Sequence, residues 1–165
     1  MNLFVFNPCP KTSALWLDDI RKNKIILECA QMLSTAIHQL VPNHSLDIYK
    51  QSYVNHPCSI WVRASQANFV WTIRYMESLY LQRQRPHKSA NLLCLFKNFS
   101  RANVFPSSGL TPFANCARRA DQGIDYTGVA DTHEAYRQYI VERWSNDRSP
   151  PTWSHGNQPD WRDND

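Results

Sequence analysis

Four polar side chains recur at helical spacing in one segment of the chain. Arg21, Lys24, Glu28 and Gln31 share one face of a helix over about three turns. A carboxylate between two cations stays ionised, so it can stabilise a cationic intermediate or act as a base, while the cations bind phosphate. The alternative is an ordinary solvated face in which Glu28 forms an ion pair with a neighbouring Lys or Arg.

A second group of reactive residue types lies in segment 55–63, which reads Asn-His-Pro-Cys-Ser-Ile-Trp-Val-Arg. His56 directly precedes a predicted helix N-terminus, where free backbone N–H groups attract anions; its alternative role is to cap that helix. Cys58 in the first turn is either a nucleophile with a lowered pKa or a small core residue. Arg63, further along the same helix, would complete an anion-binding pocket with His56.

His87 and Lys88 follow Pro86 and add another basic spot, suited to a phosphate contact or equally to ordinary surface. The sequence contains no HExxH, Walker, GxGxxG or GxSxG motif, which disfavours metalloproteases, P-loop and dinucleotide enzymes and serine hydrolases. The five cysteines include no CxxC pair, and the six histidines show no metal-ligand spacing. We therefore predict no metal site and no disulfide framework.

Helical patterns predict the elements that position these residues. We expect helices over 12–40, 57–85, 89–99 and 131–144, separated by Pro- and Gly-containing segments, with an irregular crossing over 100–128. The apolar run 3–6 predicts a short buried strand or an extended arm. The first helix is predicted to be amphipathic, with an apolar stripe opposite Arg21 and Lys24. That stripe consists of Ile26, Ala30, Leu33, Ile37 and Leu40.

Length and composition point to a mainly α protein with one helical domain. The chain has 165 residues, 42% of them hydrophobic, and only four glycines, which argues against an all-β fold with many tight turns. We expect a compact helical domain of about four helices over 1–145 and an irregular polar tail over 146–165. The end of that tail is either disordered or held to the body by Trp153 and Trp161.

The charge and the hydrophobic patterning limit the partners. A formal charge of +4 is compatible with a polyanionic partner such as DNA. No stretch approaches the ~18 apolar residues of a membrane span, and the apolar start lacks the basic region of a signal peptide. We expect a cytoplasmic protein with reduced thiols and no membrane association.

Several segments together resemble one protein family. They are Met1–Val5, Asp18–Glu28, Gln31–Thr35, Asn55–Arg63, Asn68, His87-Lys88, Gly109–Phe113, Ala135–Arg137 and Pro151–Trp153. This pattern, which covers nearly the whole chain, resembles small bacteriophage proteins of which some are named pyrimidine-dimer DNA glycosylases, similar to the phage endonuclease V group. The resemblance implies a cytoplasmic location in an infected bacterial host.

The resemblance also implies a chemistry. Members of this group cleave the N-glycosidic bond at a damaged base and then cut the strand in a lyase step through a Schiff base, without a metal or other cofactor. Their nucleophile is an N-terminal α-amine, and a glutamate on the first long helix assists it. The matching positions here are the amine of Met1 and the carboxylate of Glu28.

These observations lead us to expect a DNA-directed base-excision glycosylase with abasic-site lyase activity on damaged or modified pyrimidines. An α-amine has a lower pKa than a lysine, so more of it is unprotonated near neutrality. Phosphates would be held by Arg21, Lys24 and the other basic positions, and a flipped nucleotide would stack on Trp61 or Trp71 if either is exposed. Two alternatives stay open: a non-enzymatic phage protein that binds host protein or nucleic acid, and an enzyme acting on nucleotides or modified bases.

Overall fold

Six α-helices form the framework of the computed structural model, which describes residues 1–164 and the side chains of 1–162. They are α1 (Pro10–Trp16), α2 (Asp19–Leu40), α3 (Pro57–Ala64), α4 (Gln66–Leu81), α5 (Leu93–Phe99) and α6 (Thr132–Ser145). Within the described range the strands are β1 (Arg118–Arg119) and β2 (Ile124–Asp125), an antiparallel pair that joins Arg118 to Asp125. With 52% of residues helical, the predicted mainly α fold is confirmed.

The first predicted helix is divided in two by a buried cap. Leu17 takes an extended conformation, and the Asp18 side chain accepts a hydrogen bond from the backbone N–H of Arg21, which starts α2. Asp18 is fully buried and also accepts a hydrogen bond from Trp144 Nε1 at 2.9 Å. The prediction of one continuous helix was wrong because an N-cap aspartate lies inside the helical pattern.

Ser65 divides the second predicted helix in the same way. Its backbone is extended, and its hydroxyl accepts a hydrogen bond from the N–H of Asn68, so α4 begins afresh after α3. The N–H groups of Gln66 and Ala67 donate to the carbonyls of Ser107 and Ser108. The irregular crossing therefore supplies acceptors to the first turn of α4. The third predicted helix is likewise composite, a 3-10 turn (Lys88–Leu92) followed by α5.

Helix α2 is buried on most of its circumference rather than on one face. The helix packs against α3 and α4, and its buried residues include Arg21, Lys22 and Glu28 besides the apolar stripe. The residues of the apolar stripe are fully buried except Leu40, which is partly exposed. Among residues 1–164, neither this helix nor any other is long and apolar enough to cross a membrane.

The N-terminal arm, residues 3–6, threads into the core between α2 and α6. All four side chains are buried, and the Phe4 ring stacks on Tyr139 with centroids 5.9 Å apart. Side chains of α6 bind the arm's backbone: His133 Nδ1 lies 2.8 Å from the Val5 carbonyl, and Arg137 Nε donates to the Phe6 carbonyl at 3.1 Å. Of the two predicted forms the extended arm is therefore the observed one, because side chains rather than a strand partner pair its backbone.

The C-terminal segment packs against α1, α2 and α6. Trp153 Nε1 donates to the Trp16 carbonyl at 2.9 Å, and the Trp161 ring stacks on Trp144 at 5.9 Å. Asp19 anchors the same segment, since its carboxylate accepts hydrogen bonds from the Ser154 backbone and hydroxyl at 2.8 Å each. Up to residue 162 the tail is therefore held to the body by Trp153 and Trp161, which was one of the two predicted alternatives. Asp165 lies outside the described residues.

The docking of this segment should depend on pH through Asp19. Burial raises the pKa of its carboxyl, but hydrogen bonds from Lys22 and Ser154 outweigh burial and bring that pKa to about 2, against an ordinary value of 3.8. Because the folded pKa is depressed, this stabilisation is complete above pH 3.8 and disappears as pH falls towards 2. We expect Asp19→Asn to lower the free energy of unfolding by about 1–2 kcal/mol at pH 5, after allowance for solvent screening.

Urea unfolding of wild type and Asp19→Asn at pH 5 and near pH 2 measures this effect. The difference between the two proteins should shrink at the lower pH, whereas the exposed Asp47→Asn control should match wild type at both. A difference that is the same at both pH values would contradict the assignment.

Candidate active site

A cavity of about 300 Å³ opens where the start of the N-terminal arm meets α2, β1 and α6. We call it the arginine cavity. Its lining includes six cationic groups and one carboxylate: the Met1 amine, Arg21, Lys24, Arg118, Arg119, Arg143 and Glu28. Asn2, Phe4, Ile25 and Tyr139 complete it. This charge balance favours an anionic ligand.

The amine of Met1 and the carboxylate of Glu28 lie together in this cavity. The amine nitrogen is 4.0 Å from Glu28 Oε1, and Lys24 Nζ is 3.6 Å from the same oxygen. The other oxygen, Oε2, accepts the backbone N–H of Asn2 at 2.8 Å. Glu28 is 8% exposed, so a nearly buried carboxylate has three donors around it.

Asn2 keeps the chain terminus in this position. Its side-chain oxygen accepts a hydrogen bond from the Tyr136 hydroxyl at 2.6 Å, and its amide nitrogen donates to the Cys116 carbonyl at 3.3 Å. Together with the bond to Glu28, these contacts connect Asn2 to α2, to α6 and to the segment before β1. A terminus that would otherwise fray is thereby immobilised.

The arginines of the cavity differ in how far their charge is already paired. Arg21 is buried and forms ion pairs with Asp18 at 2.9 Å and Asp147 at 2.7 Å. Arg118 pairs with Asp125 on β2, and Arg119 pairs with Asp121 in the turn between the two strands. These pairs are open to solvent, so both guanidinium groups can also bind a ligand.

Arg143 differs from the other arginines of the cavity because its guanidinium forms no ion pair with a carboxylate among the described residues. Its Nη1 donates to the Tyr139 hydroxyl at 3.2 Å, and its guanidinium carbon lies 5.7 Å from the centre of the Tyr139 ring. Its Nε, like that of Arg21, is buried and has no hydrogen-bond partner among the described residues. A buried N–H without a partner is costly, so a ligand oxygen that accepted it would bind with a gain in free energy.

Of the residues predicted from sequence, the structure brings Met1, Arg21, Lys24 and Glu28 into the arginine cavity. The other predicted site residues do not line this cavity. Gln31 is half-buried on α2 outside the cavity lining, and Arg63 Nη1 donates to the Val54 carbonyl at 2.7 Å, which fastens the segment before α3. His87 caps the 3-10 turn through the Ser89 N–H, and Lys88 begins that turn outside the cavity lining.

His56 lies close to the cavity without lining it. Its Nδ1 accepts the Cys58 backbone N–H at 3.2 Å, so it serves as the cap of α3, one of its two predicted roles. Burial and the nearby α-ammonium lower the pKa of His56, and the carboxylate of Glu28 opposes them. The imidazole is therefore favoured in its neutral form next to the terminus.

Cys58, Trp61 and Trp71 are buried in the core and do not take the reactive or base-stacking roles considered for them. Cys58 is fully buried, and a hydrogen bond with Cys116 together with burial holds its pKa well above the usual range, so it is not a thiolate nucleophile. Trp61 and Trp71 are core residues packed edge to face at 5.8 Å, unavailable for base stacking. The aromatic surfaces of the cavity come from Phe4 and Tyr139 instead.

Sequence reasoning missed Arg118, Arg119 and Arg143. The adjacent Arg118-Arg119 pair lies in a segment whose pattern predicts irregular structure. The sequence therefore does not predict which way these two side chains point. Arg143 follows Tyr139 by four residues on α6, a spacing that places both on one helix face and that is a usable signal.

Comparisons with known proteins give no relative for this chain: no family model, no curated protein and no solved structure matches it.

A multivalent anion should bind the arginine cavity and stabilise the fold. We expect pyrophosphate at about 100 times its Kd to add roughly 2.7 kcal/mol, a rise of a few degrees in the midpoint of thermal unfolding. Arg143→Gln should remove most of this rise, because it deletes a guanidinium that has an unpartnered N–H and no carboxylate partner among the described residues. Arg74→Gln, at an exposed position on α4, is the matched control. An equal rise in both variants would show that the anion binds elsewhere.

Proposed function

We propose that this protein is a DNA glycosylase with abasic-site lyase activity on damaged or modified pyrimidines, as its resemblance to the phage pyrimidine-dimer glycosylases implies. One observation carries the proposal: the α-amine of Met1 is held 4.0 Å from the Glu28 carboxylate inside a cationic cavity. A primary amine beside a single buried carboxylate has the components that Schiff-base chemistry at a sugar needs.

The cavity dimensions specify how DNA would bind. About 300 Å³ is at the lower end of small-ligand pockets and accommodates one nucleotide but not a duplex. The target nucleotide must therefore leave the base stack, as in other enzymes that act on a base. Arg118 and Lys24, both exposed, are placed to hold the flanking phosphates, while Arg143 meets the extruded nucleotide.

The chemistry then follows from the positions of two groups. The Met1 nitrogen, after loss of its proton, attacks C1′ of the sugar while the bond to the base breaks and its electron pair leaves with the base. Glu28 stabilises the positive charge that develops on the sugar. Ring opening, with a proton added to O4′, yields the Schiff base. Loss of a proton from C2′ to solvent then expels the 3′ phosphate, and water hydrolyses the Schiff base to free the amine. The contact between Asn2 and Glu28 keeps the carboxylate from turning away.

A second candidate is an enzyme that acts on free nucleotides or modified bases. The observation that favours it is the size of the cavity, which matches one nucleotide without any duplex attached. Such an enzyme would act on nucleoside monophosphates as readily as on DNA. Parallel assays with a damaged-pyrimidine duplex and with the corresponding nucleotide separate the two functions.

Borohydride reduction tests the nucleophile. Wild type, shown by intact mass to begin with Met1, should form a covalent adduct with abasic-site DNA, and peptide mapping should place it on the Met1 nitrogen. One glycine added before Met1 should reduce trapping on the order of 100-fold, because it moves the amine away from Glu28. Glu28→Gln should lower strand cleavage about 10²- to 10³-fold, as loss of a stabilising charge does.

Glu77→Gln is the control for Glu28→Gln, since Glu77 pairs with Lys97 on α5 rather than with the terminus. Trapping that survives the added glycine would exclude Met1 and move the nucleophile to Lys24. If wild type forms no adduct and cleaves no damaged strand, the proposed function is wrong.

DNA binding should be mainly electrostatic. We expect the logarithm of the affinity to fall linearly with the logarithm of salt concentration, with a slope of about −0.9 for each phosphate neutralised. Arg118→Ala should weaken binding equally across sequences and reduce the slope by about 1, whereas Arg74→Ala should leave it unchanged. Fluorescence anisotropy over a salt series measures this, and affinity that does not vary with salt would contradict a phosphate-binding surface.

A further inference from the structure

Three side chains with metal-ligating atoms converge near the Met1 amine. Ligand atoms of His56, Cys58 and Cys116 all lie within 4.8 Å of one another. We call this group the thiol–imidazole cluster. None of the three lines the arginine cavity, and the proposed function uses none of them. Two come from the start of α3 and the third from the segment before β1, so the fold rather than the sequence spacing assembles them.

The backbone of each member is held in place. Pro57 at the first position of α3 and the His56 cap fix the positions of His56 and Cys58. The N–H of Cys116 donates to the Tyr136 hydroxyl at 3.2 Å, and its carbonyl accepts the Asn2 side chain. Ligands on fixed backbone lose little conformational freedom when a metal binds, which is a condition for a specific site.

A hydrogen bond connects the sulfur atoms of Cys58 and Cys116. The Cys58 thiol hydrogen-bonds to the Cys116 sulfur, which raises the pKa of Cys58 and lowers that of Cys116. The backbone N–H of Leu3 also donates to the Cys58 sulfur. The buried Cys58 sulfur thus already has the backbone donor that commonly supports a metal-bound thiolate.

We propose that the thiol–imidazole cluster binds Zn²⁺ through His56, Cys58 and Cys116. Two thiolates and a neutral imidazole cancel the charge of the ion, and this donor set selects Zn²⁺ over Mg²⁺ and Ca²⁺. Binding releases both thiol protons to solvent. A water molecule would complete the four ligands, and the charge of the nearby Met1 amine acts on all three residues.

The geometry requires only a modest adjustment. Tetrahedral zinc with Zn–S near 2.3 Å and Zn–N near 2.0 Å has ligand atoms roughly 3.5–3.8 Å apart, so the cluster must close by about 1 Å. Cys116 and His56 are partly exposed and can supply this movement by side-chain rotation. If His56 binds through Nε2, its proton moves to Nδ1 and the cap hydrogen bond to Cys58 is released.

Cobalt titration of the full chain in a thiol-free reductant tests this proposal without relying on activity. We expect one equivalent of Co²⁺ to produce the thiolate-to-metal charge-transfer bands and visible bands of a tetrahedral thiolate site, and one equivalent of Zn²⁺ to abolish them. Cys116→Ser should lose about half of the charge-transfer intensity, since one of two thiolates is removed. Each ligand variant should weaken Zn²⁺ binding more than about tenfold in competition with a chelator.

The control variants are Cys9→Ser and Cys94→Ser, which alter exposed thiols outside the cluster. His56→Asn keeps a side chain that caps α3, so a loss of metal binding with unchanged thermal stability identifies a ligand rather than a folding defect. That variant also covers the case in which Cys58→Ser, at a buried position, fails to fold. Absence of Co²⁺ bands with all thiols reduced, or bands of undiminished intensity in both Cys116→Ser and His56→Asn, would overturn the proposal.

Discussion

A carboxylate buried in the middle of the longest helix is the constraint on which much of the structure depends. Glu28 is 8% exposed, and an ionised carboxylate so far from water costs several kcal/mol unless charges and hydrogen bonds compensate it. The compensation comes from the start of the chain, through the Met1 amine and the Asn2 N–H. The apolar arm 3–6 must then lie beside α2, and α6 must close over it.

This arrangement couples stability to chemistry. The contacts that hold the terminus, from Glu28 to Asn2 and from Asn2 to Tyr136, also position the amine in the arginine cavity. An isolated buried amine–carboxylate pair is rarely the most stable solution for a core, and apolar residues of similar volume often serve better. Its presence, with Arg143 Nε left without a partner in the described part of the chain, is typical of a site whose polar groups await a ligand.

The arginine cavity and the thiol–imidazole cluster meet at the terminus. The charge of the Met1 amine acts on His56, Cys58 and Cys116, and Asn2 binds both Glu28 and the Cys116 carbonyl. The two sites are distinct in their ligands but linked through Met1 and Asn2, the two residues that precede the arm.

The sequence by itself determined the helical class, the end of the long helix before Pro42 and the shared face of Arg21, Lys24 and Glu28. Periodicity and prolines act locally, so these features are readable from neighbouring residues. The sequence did not show that Asp18 and Ser65 each divide a predicted helix. A polar residue caps a helix only when the packing around it allows the preceding backbone to be extended. Only the tertiary structure decided that Arg143 joins Glu28 while Arg63 does not, and that Cys116 meets His56. Those pairings join segments that are distant in the sequence. They form because the burial of Glu28 and of the arm determines how these segments pack together.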